Sequence, residues 1–129
     1  MSPRYCAGAV LLVASMAAAA DAGVQFPEFE EPHLRSGRAI WLENCMVCHG
    51  DGMGDAPRPD RFEEWAQRIQ QPREVLYSRS IEGFIGSDYN MMPPRGGNPA
   101  LSDAQVKQAV DYMLRLVEHF RDSPAQKAW

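Results

Sequence analysis

Cys45-Met46-Val47-Cys48-His49 is the stretch on which the reading turns. Two thiols three positions apart lie about one helical turn from each other on one face. Spaced that way they can form thioether bonds with the two vinyl groups of a haem, and the histidine that follows can reach the iron. Five residues thus supply two tethers, Cys45 and Cys48, and one axial ligand, His49. A second axial ligand has to come from elsewhere in the chain.

The compartment agrees with that chemistry. Residues 1–20 read as a secretory signal: Arg4 supplies the positive start, Ala7 to Ala20 is uncharged, and Ala18-Ala19-Ala20 fits the small-residue cleavage pattern, with Ala22 a second option. The uncharged run falls short of the roughly 20 residues that span a bilayer, which disfavours a retained anchor. Removing residues 1–20 leaves 109 residues with a net charge of −5. That acidic balance excludes nucleic acid as an expected partner. Cys6 leaves with the signal, so both remaining cysteines belong to the motif. In an exported chain they could pair as a disulfide, but a disulfide leaves His49 unexplained. A domain this small is marginal without a staple, and a covalent haem would serve as one.

Outward from the motif the pattern is helical. Residues 21–33 carry Pro27, Pro32 and the acids Glu28, Glu30 and Glu31, and read as an extended, mobile acidic leader. Residues 34–121 form the domain and 122–129 a tail. Leu34 to Cys48 reads as a first helix, with Gly37, Trp41 and Cys45 stacked along one face. Asp60 is placed to cap a second over 61–71. Pro72 and Gly83 bracket a third over 73–82. Ser102 and Gln105 form a capping box for the last, whose stripe is Val106, Ala109, Val110, Met113, Leu116, Val117 and Phe120. Glycine- and proline-rich loops fill 50–59 and 84–100. No strand is expected, so the fold class is all-α.

Two methionines in the second loop compete for the iron. In Asp88-Tyr89-Asn90-Met91-Met92-Pro93-Pro94-Arg95-Gly96-Gly97, neighbouring side chains on extended backbone face opposite ways, so one of the pair is free to point inward. Pro93 holds Met92 out of the helical region. Met92 is the expected ligand and Met91 the alternative, both being soft thioethers suited to haem iron. Met113 reads as core, and His33 and His119 as surface residues.

These residues resemble the class I c-type cytochromes, and within them the cytochrome c-five branch. The matching frame is Gly37, Trp41, Cys45-x-x-Cys48-His49, Met92-Pro93-Pro94 and the helix holding Val110-Asp111-Tyr112-Met113. Gly54-Asp55-Ala56-Pro57 and Trp65-Ala66-Gln67-Arg68-Ile69 add to it, and the likeness covers about residues 34–117. It implies the cytochrome c fold, about four helices around one covalently bound haem c, with the first and last helices crossing where Gly37 and Trp41 meet Ala109, Tyr112 and Met113. It also implies that the Pro57 carbonyl, or that of Pro59, accepts the second N–H of His49. Trp65 and Arg68 match positions near the haem, Arg68 toward a propionate; a core tryptophan and a surface arginine are the plain alternatives. Trp41 stands where the family has a smaller aromatic, and the branch's extra cysteine pair is missing.

The expectation is a periplasmic one-electron carrier cycling between Fe(III) and Fe(II), not an enzyme, because no acid–base or nucleophilic set is present. Its partners would be redox proteins: a dehydrogenase, an oxidase or a respiratory complex. Arg58, Arg61 and Arg95 are candidates for steering an acidic partner. The alternatives are a cytochrome subunit fixed in a dehydrogenase or oxidase complex, a five-coordinate haem sensor, and a zinc or dithiol site at Cys45 and Cys48.

Overall fold

The structure, a computed structural model, describes residues 26–123 together with Met1; the rest of the expected signal segment, the start of the expected leader and most of the C-terminal tail lie outside the described residues. Five α-helices appear: α1 (Pro32–Asn44), α2 (Met46–His49), α3 (Phe62–Trp65), α4 (Arg73–Glu82) and α5 (Asp103–Asp122). Short 3-10 turns lie at Met53–Asp55, Arg68–Gln70 and Pro94–Gly97. The chain is mostly helical, with one small departure: Phe84–Ile85 (β1) pairs antiparallel with Met91–Met92 (β2), Phe84 opposite Met92 and Ile85 opposite Met91.

Pro32 opens α1 at a position where a missing N–H costs nothing. The helix passes into α2 at Cys45, whose N–H donates to the Trp41 carbonyl at 2.8 Å, while His49 N–H donates to the Cys45 carbonyl at 2.9 Å. The attachment motif therefore sits on an almost continuous helical ladder. At the other end of the chain, Ser102 Oγ accepts from Gln105 N–H at 3.2 Å and Gln105 Oε1 accepts from Ser102 N–H at 2.9 Å, the capping box read from sequence. The buried stripe of α5 runs from Val106 to Val117 and includes Tyr112, Leu114 and Leu116.

These two ends of the chain cross, and Gly37 makes the crossing possible. A β-carbon there would fall inside contact distance of the Gln108 carbonyl oxygen, 2.7 Å from its carbon and 3.1 Å from Tyr112 Cβ. Below it, Trp41 and Tyr112 are fully buried with ring centroids 5.8 Å apart. On the other flank α4 is tied to α5 by one carboxylate: Asp111 Oδ1 accepts from Tyr77 Oη at 2.6 Å and from Arg73 Nη1 at 2.8 Å.

Three expectations need correction. Residues 26–31 are extended but not a free leader: Phe26 packs edge-on against Trp41 at 4.7 Å, Phe29 lies against Tyr112, and Tyr112 Oη donates to the Pro27 carbonyl at 2.7 Å. Prolines and acids set the composition, while two phenylalanines decide the packing; residues 32 and 33 already belong to α1. The helix expected over 61–71 is broken into α3 and a 3-10 turn. Asp60 does not cap it, because its carboxylate is turned back onto the Arg58 guanidinium at 2.7 and 3.0 Å. The loop over 84–100 contains the small β pair, which sets Met91 and Met92 in extended backbone.

Candidate functional site: a haem pocket between α1, α4 and α5

A cavity opens beside the crossing. Its walls are Trp41 and Cys45 from α1 and the α1–α2 junction, His49 from α2, Ser80 from α4, Met92 from β2, and Val106, Ala109, Val110 and Met113 from α5. Arg95, Gly96 and Leu101 close one side. The last helix thus spends half its apolar stripe on the core and half on this space.

His49 is buried and held by its ring. Nδ1 lies 2.9 Å from the Pro57 carbonyl oxygen. A carbonyl only accepts, so Nδ1 carries the proton and the lone pair is left on Nε2. Burial pushes the imidazole below its ordinary value, against the opposing pull of the Pro57 bond, and nearby Arg68 disfavours protonation further. The result is a neutral imidazole of fixed tautomer, the form that ligates a metal.

The Pro57 segment is itself fastened, in a way the sequence did not reveal. Trp65 Nε1 donates to the Arg58 carbonyl at 2.9 Å, and Arg58 N–H donates to Glu64 Oε2 at 2.8 Å. α3 therefore grips the residue next to the one that orients His49. Trp65 is buried in the core and does not line the cavity; it supports the site from behind. Arg68 is exposed, also outside the cavity wall, and its guanidinium donates to the Glu64 carbonyl. Pro59 is fully buried, and His49 uses Pro57 instead.

The loop carrying Met92 is clasped to the attachment motif. Arg95, Gly96 and Gly97 have φ of +56°, +63° and +84°, a left-handed run in which glycine is unstrained. A β-carbon on Gly96 would lie 3.0 Å from the Asn44 carbonyl oxygen and 3.9 Å from Cys45 Sγ, so the strap lies directly on the thiol. Asn98 Nδ2 donates to Asn44 Oδ1 at 2.7 Å, and Arg95 holds Asp103 at 2.7 Å. Within β2 the two methionines separate as alternation requires: Met91 is 68% exposed and Met92 lines the cavity.

The donor set fits a covalently held haem. The thiols are unpaired, and Cys45 is pushed up to about 11 by burial and by neighbouring Cys48. A redox dithiol needs the opposite shift. Among the described residues no group of three or more His, Cys, Asp or Glu side chains could hold a metal ion, which leaves zinc without ligands. One buried donor at the wall, the Trp41 indole N–H, lacks a protein acceptor among the described residues, as expected where a large partner fills the space. The three steering arginines are each occupied internally: Arg58 by Asp60, Arg61 by Glu64 and Arg95 by Asp103.

Comparison with known proteins agrees with this geometry. Residues 32–113 match the family model described as cytochrome C oxidase, cbb3-type, subunit III. The chain is 41% identical over 107 residues to cytochrome c-555 of Chlorobaculum tepidum, covering 83% of this chain and 87% of that one. It is 31% identical over 84 residues to cytochrome c5 of Azotobacter vinelandii, covering 64% and 95% respectively. A solved chain from the electron transfer complex of nitrite reductase with cytochrome c superposes with a TM-score of 0.56 at 31% identity, covering 67% of this chain and 96% of its own. The matched region takes in the cavity, both thiols and His49, so the chain belongs to the class I c-type cytochromes: it carries one covalent haem c and serves in electron transfer.

Proposed function

We propose that this cytochrome is an exported, periplasmic one-electron carrier whose haem iron is held by His49 on one side and Met92 on the other. The observation that carries the reading is the placement of His49 and Met92 on one cavity while Met91 turns to solvent. The haem supplies the reversible Fe(III)/Fe(II) couple, and Met/His ligation favours a high reduction potential. The chain's own part is to fix the imidazole through Pro57, to press the Met92 strap against Cys45 through Gly96, and to keep the space dry with α5. The experiment compares Met92→Ala with Met91→Ala in the purified haem protein. Met92→Ala should lose the weak near-infrared band of a ferric thioether bond and bind carbon monoxide in the ferrous form. Met91→Ala should keep the band and resist carbon monoxide. The reverse pattern would assign the ligand to Met91.

Docking follows from the same loop. With Arg58, Arg61 and Arg95 each paired, charge steering has little to work with. Ile85 and Met91, opposite each other in the β pair and 62% and 68% exposed, present an apolar edge next in sequence to Met92. Electron transfer to a redox protein should therefore vary little between low and physiological salt. Ile85→Asp should slow it about tenfold, the effect of losing one central apolar contact, with the reduction potential unchanged. A steep salt dependence would return the role to charged groups. The family model's oxidase-subunit description supports a second reading, a cytochrome fixed in an oxidase, and co-purification at constant stoichiometry would select it.

A further inference from the structure

The Pro57 carbonyl that orients His49 and the Arg58 N–H belong to one peptide group, planar and conjugated from oxygen to nitrogen. Both of its polar ends are engaged. The oxygen lies 2.9 Å from His49 Nδ1, and the N–H donates to Glu64 Oε2 at 2.8 Å. An unbroken chain of hydrogen bonds therefore runs from the imidazole through a single amide to a carboxylate on α3.

α3 delivers that carboxylate with little freedom. Glu64 stands beside Trp65, which is buried and whose indole donates to the carbonyl of the same Arg58 at 2.9 Å. The two Glu64 oxygens divide their partners. Oε1 lies 3.6 Å from the Arg61 guanidinium, and Oε2 is left for the amide. The Arg58 guanidinium is turned to Asp60, at 2.7 and 3.0 Å, and that of Arg68 donates to the Glu64 main-chain carbonyl. At 32% exposure the carboxylate is partly withdrawn from water, so its charge is only partly screened.

A charged acceptor at the N–H end polarises the amide. Electron density moves toward the oxygen, which then accepts more strongly from His49. The imidazole gains anionic character and becomes a stronger donor to a metal at Nε2.

We infer that Glu64 is a positioning residue for the axial imidazole: through the Pro57–Arg58 amide its carboxylate strengthens the hydrogen bond at His49 Nδ1 and so holds the reduction potential down. This role rests on His49 being bound to the iron. An electron-rich imidazole favours Fe(III) over Fe(II), which gives the effect its sign.

The test uses the full haem protein with Glu64→Gln and Glu63→Gln. Glu64→Gln keeps an oxygen for the Arg58 N–H and removes the charge. Glu63→Gln removes the same charge from the adjacent, exposed position of α3. At a fixed applied potential the reduced-to-oxidised ratio should rise about threefold in Glu64→Gln, the part of the difference between a charged and a neutral hydrogen bond that one amide passes on. In Glu63→Gln it should stay within about 1.5-fold of the parent, because an exposed charge is screened. Proton NMR of the ferrous form should show the His49 Nδ1 proton moving upfield in Glu64→Gln, the mark of a weaker hydrogen bond. An unchanged ratio or an unmoved proton overturns the inference. An equal rise in Glu63→Gln also overturns it, because bulk charge and not the amide would then be acting. The parent separates the two readings. If its Nδ1 proton lacks the ring-current shift of an axial ligand, the assignment of His49 fails; if the shift is present while Glu64→Gln changes nothing, only the role of Glu64 fails.

Discussion

Gly37→Ala is expected to destabilise the haem protein by about 3 kcal/mol or more, although it adds a single methyl group to a helix. Helix propensity alone would favour the change by about 1 kcal/mol. The crossing outweighs it, because the new β-carbon would stand 2.7 Å from the Gln108 carbonyl carbon and inside contact of its oxygen. Both are backbone atoms of α5, so no rotamer change relieves the clash, and the helices must separate. Separation would loosen the Trp41–Tyr112 contact and the cavity wall formed by Ala109 and Met113. For a domain of this size the midpoint of thermal unfolding should drop on the order of 15 °C. Denaturant titration of the haem protein should show a lower midpoint with an unchanged slope. A midpoint within a degree or two of the parent would mean that α1 and α5 have slack at this point.

Residues that act through local chemistry were legible in the sequence. Ser102 and Gln105 marked the start of α5, Pro72 and Gly83 bracketed α4, and strand alternation before Pro93 placed Met91 and Met92 on opposite sides, Met91 exposed and Met92 on the cavity. What failed to show was set by partners far along the chain. Phe26 and Phe29 look like isolated aromatics in an acidic stretch because the faces they cover, Trp41 and Tyr112, lie on two other elements. The 61–71 segment has helical residues throughout, yet the Trp65 bond to the Arg58 carbonyl fixes α3 against the preceding loop, and the chain turns after Trp65. Glu64 and Ser80 carry no mark in sequence at all. One is an acid among acids, the other a serine among serines, and burial or a backbone partner gives each its place.

Removing the haem is expected to cost the domain its cooperative unfolding. Trp41, Val106, Ala109, Val110 and Met113 belong both to the buried core and to the cavity wall. Without the haem each has one face against empty or wet space. Burying a large apolar side chain contributes about 1.5–3 kcal/mol. Exposing one face of the four larger ones, Trp41, Val106, Val110 and Met113, therefore costs on the order of 4 kcal/mol, comparable with the low end of the total stability of a small domain. The covalent links of the haem and the iron bond proposed for His49 would be lost at the same time, leaving the Met92 strap held by Gly96 packing and the Asn98–Asn44 bond. α5 has its capping box and its contact with α1, so helix content should persist in part. The expected state is a collapsed chain with far-ultraviolet helical signal, little near-ultraviolet signal from Trp41 and Trp65, and binding of a hydrophobic dye. Chain made without haem, with Cys45 and Cys48 kept reduced, provides the measurement. A sharp calorimetric transition with native-like near-ultraviolet signal would show that the α1–α5 crossing and the aromatic strap suffice alone. The haem would then be a passenger in a finished fold, and the cavity would have to be held open by its own walls against the pull of its apolar lining.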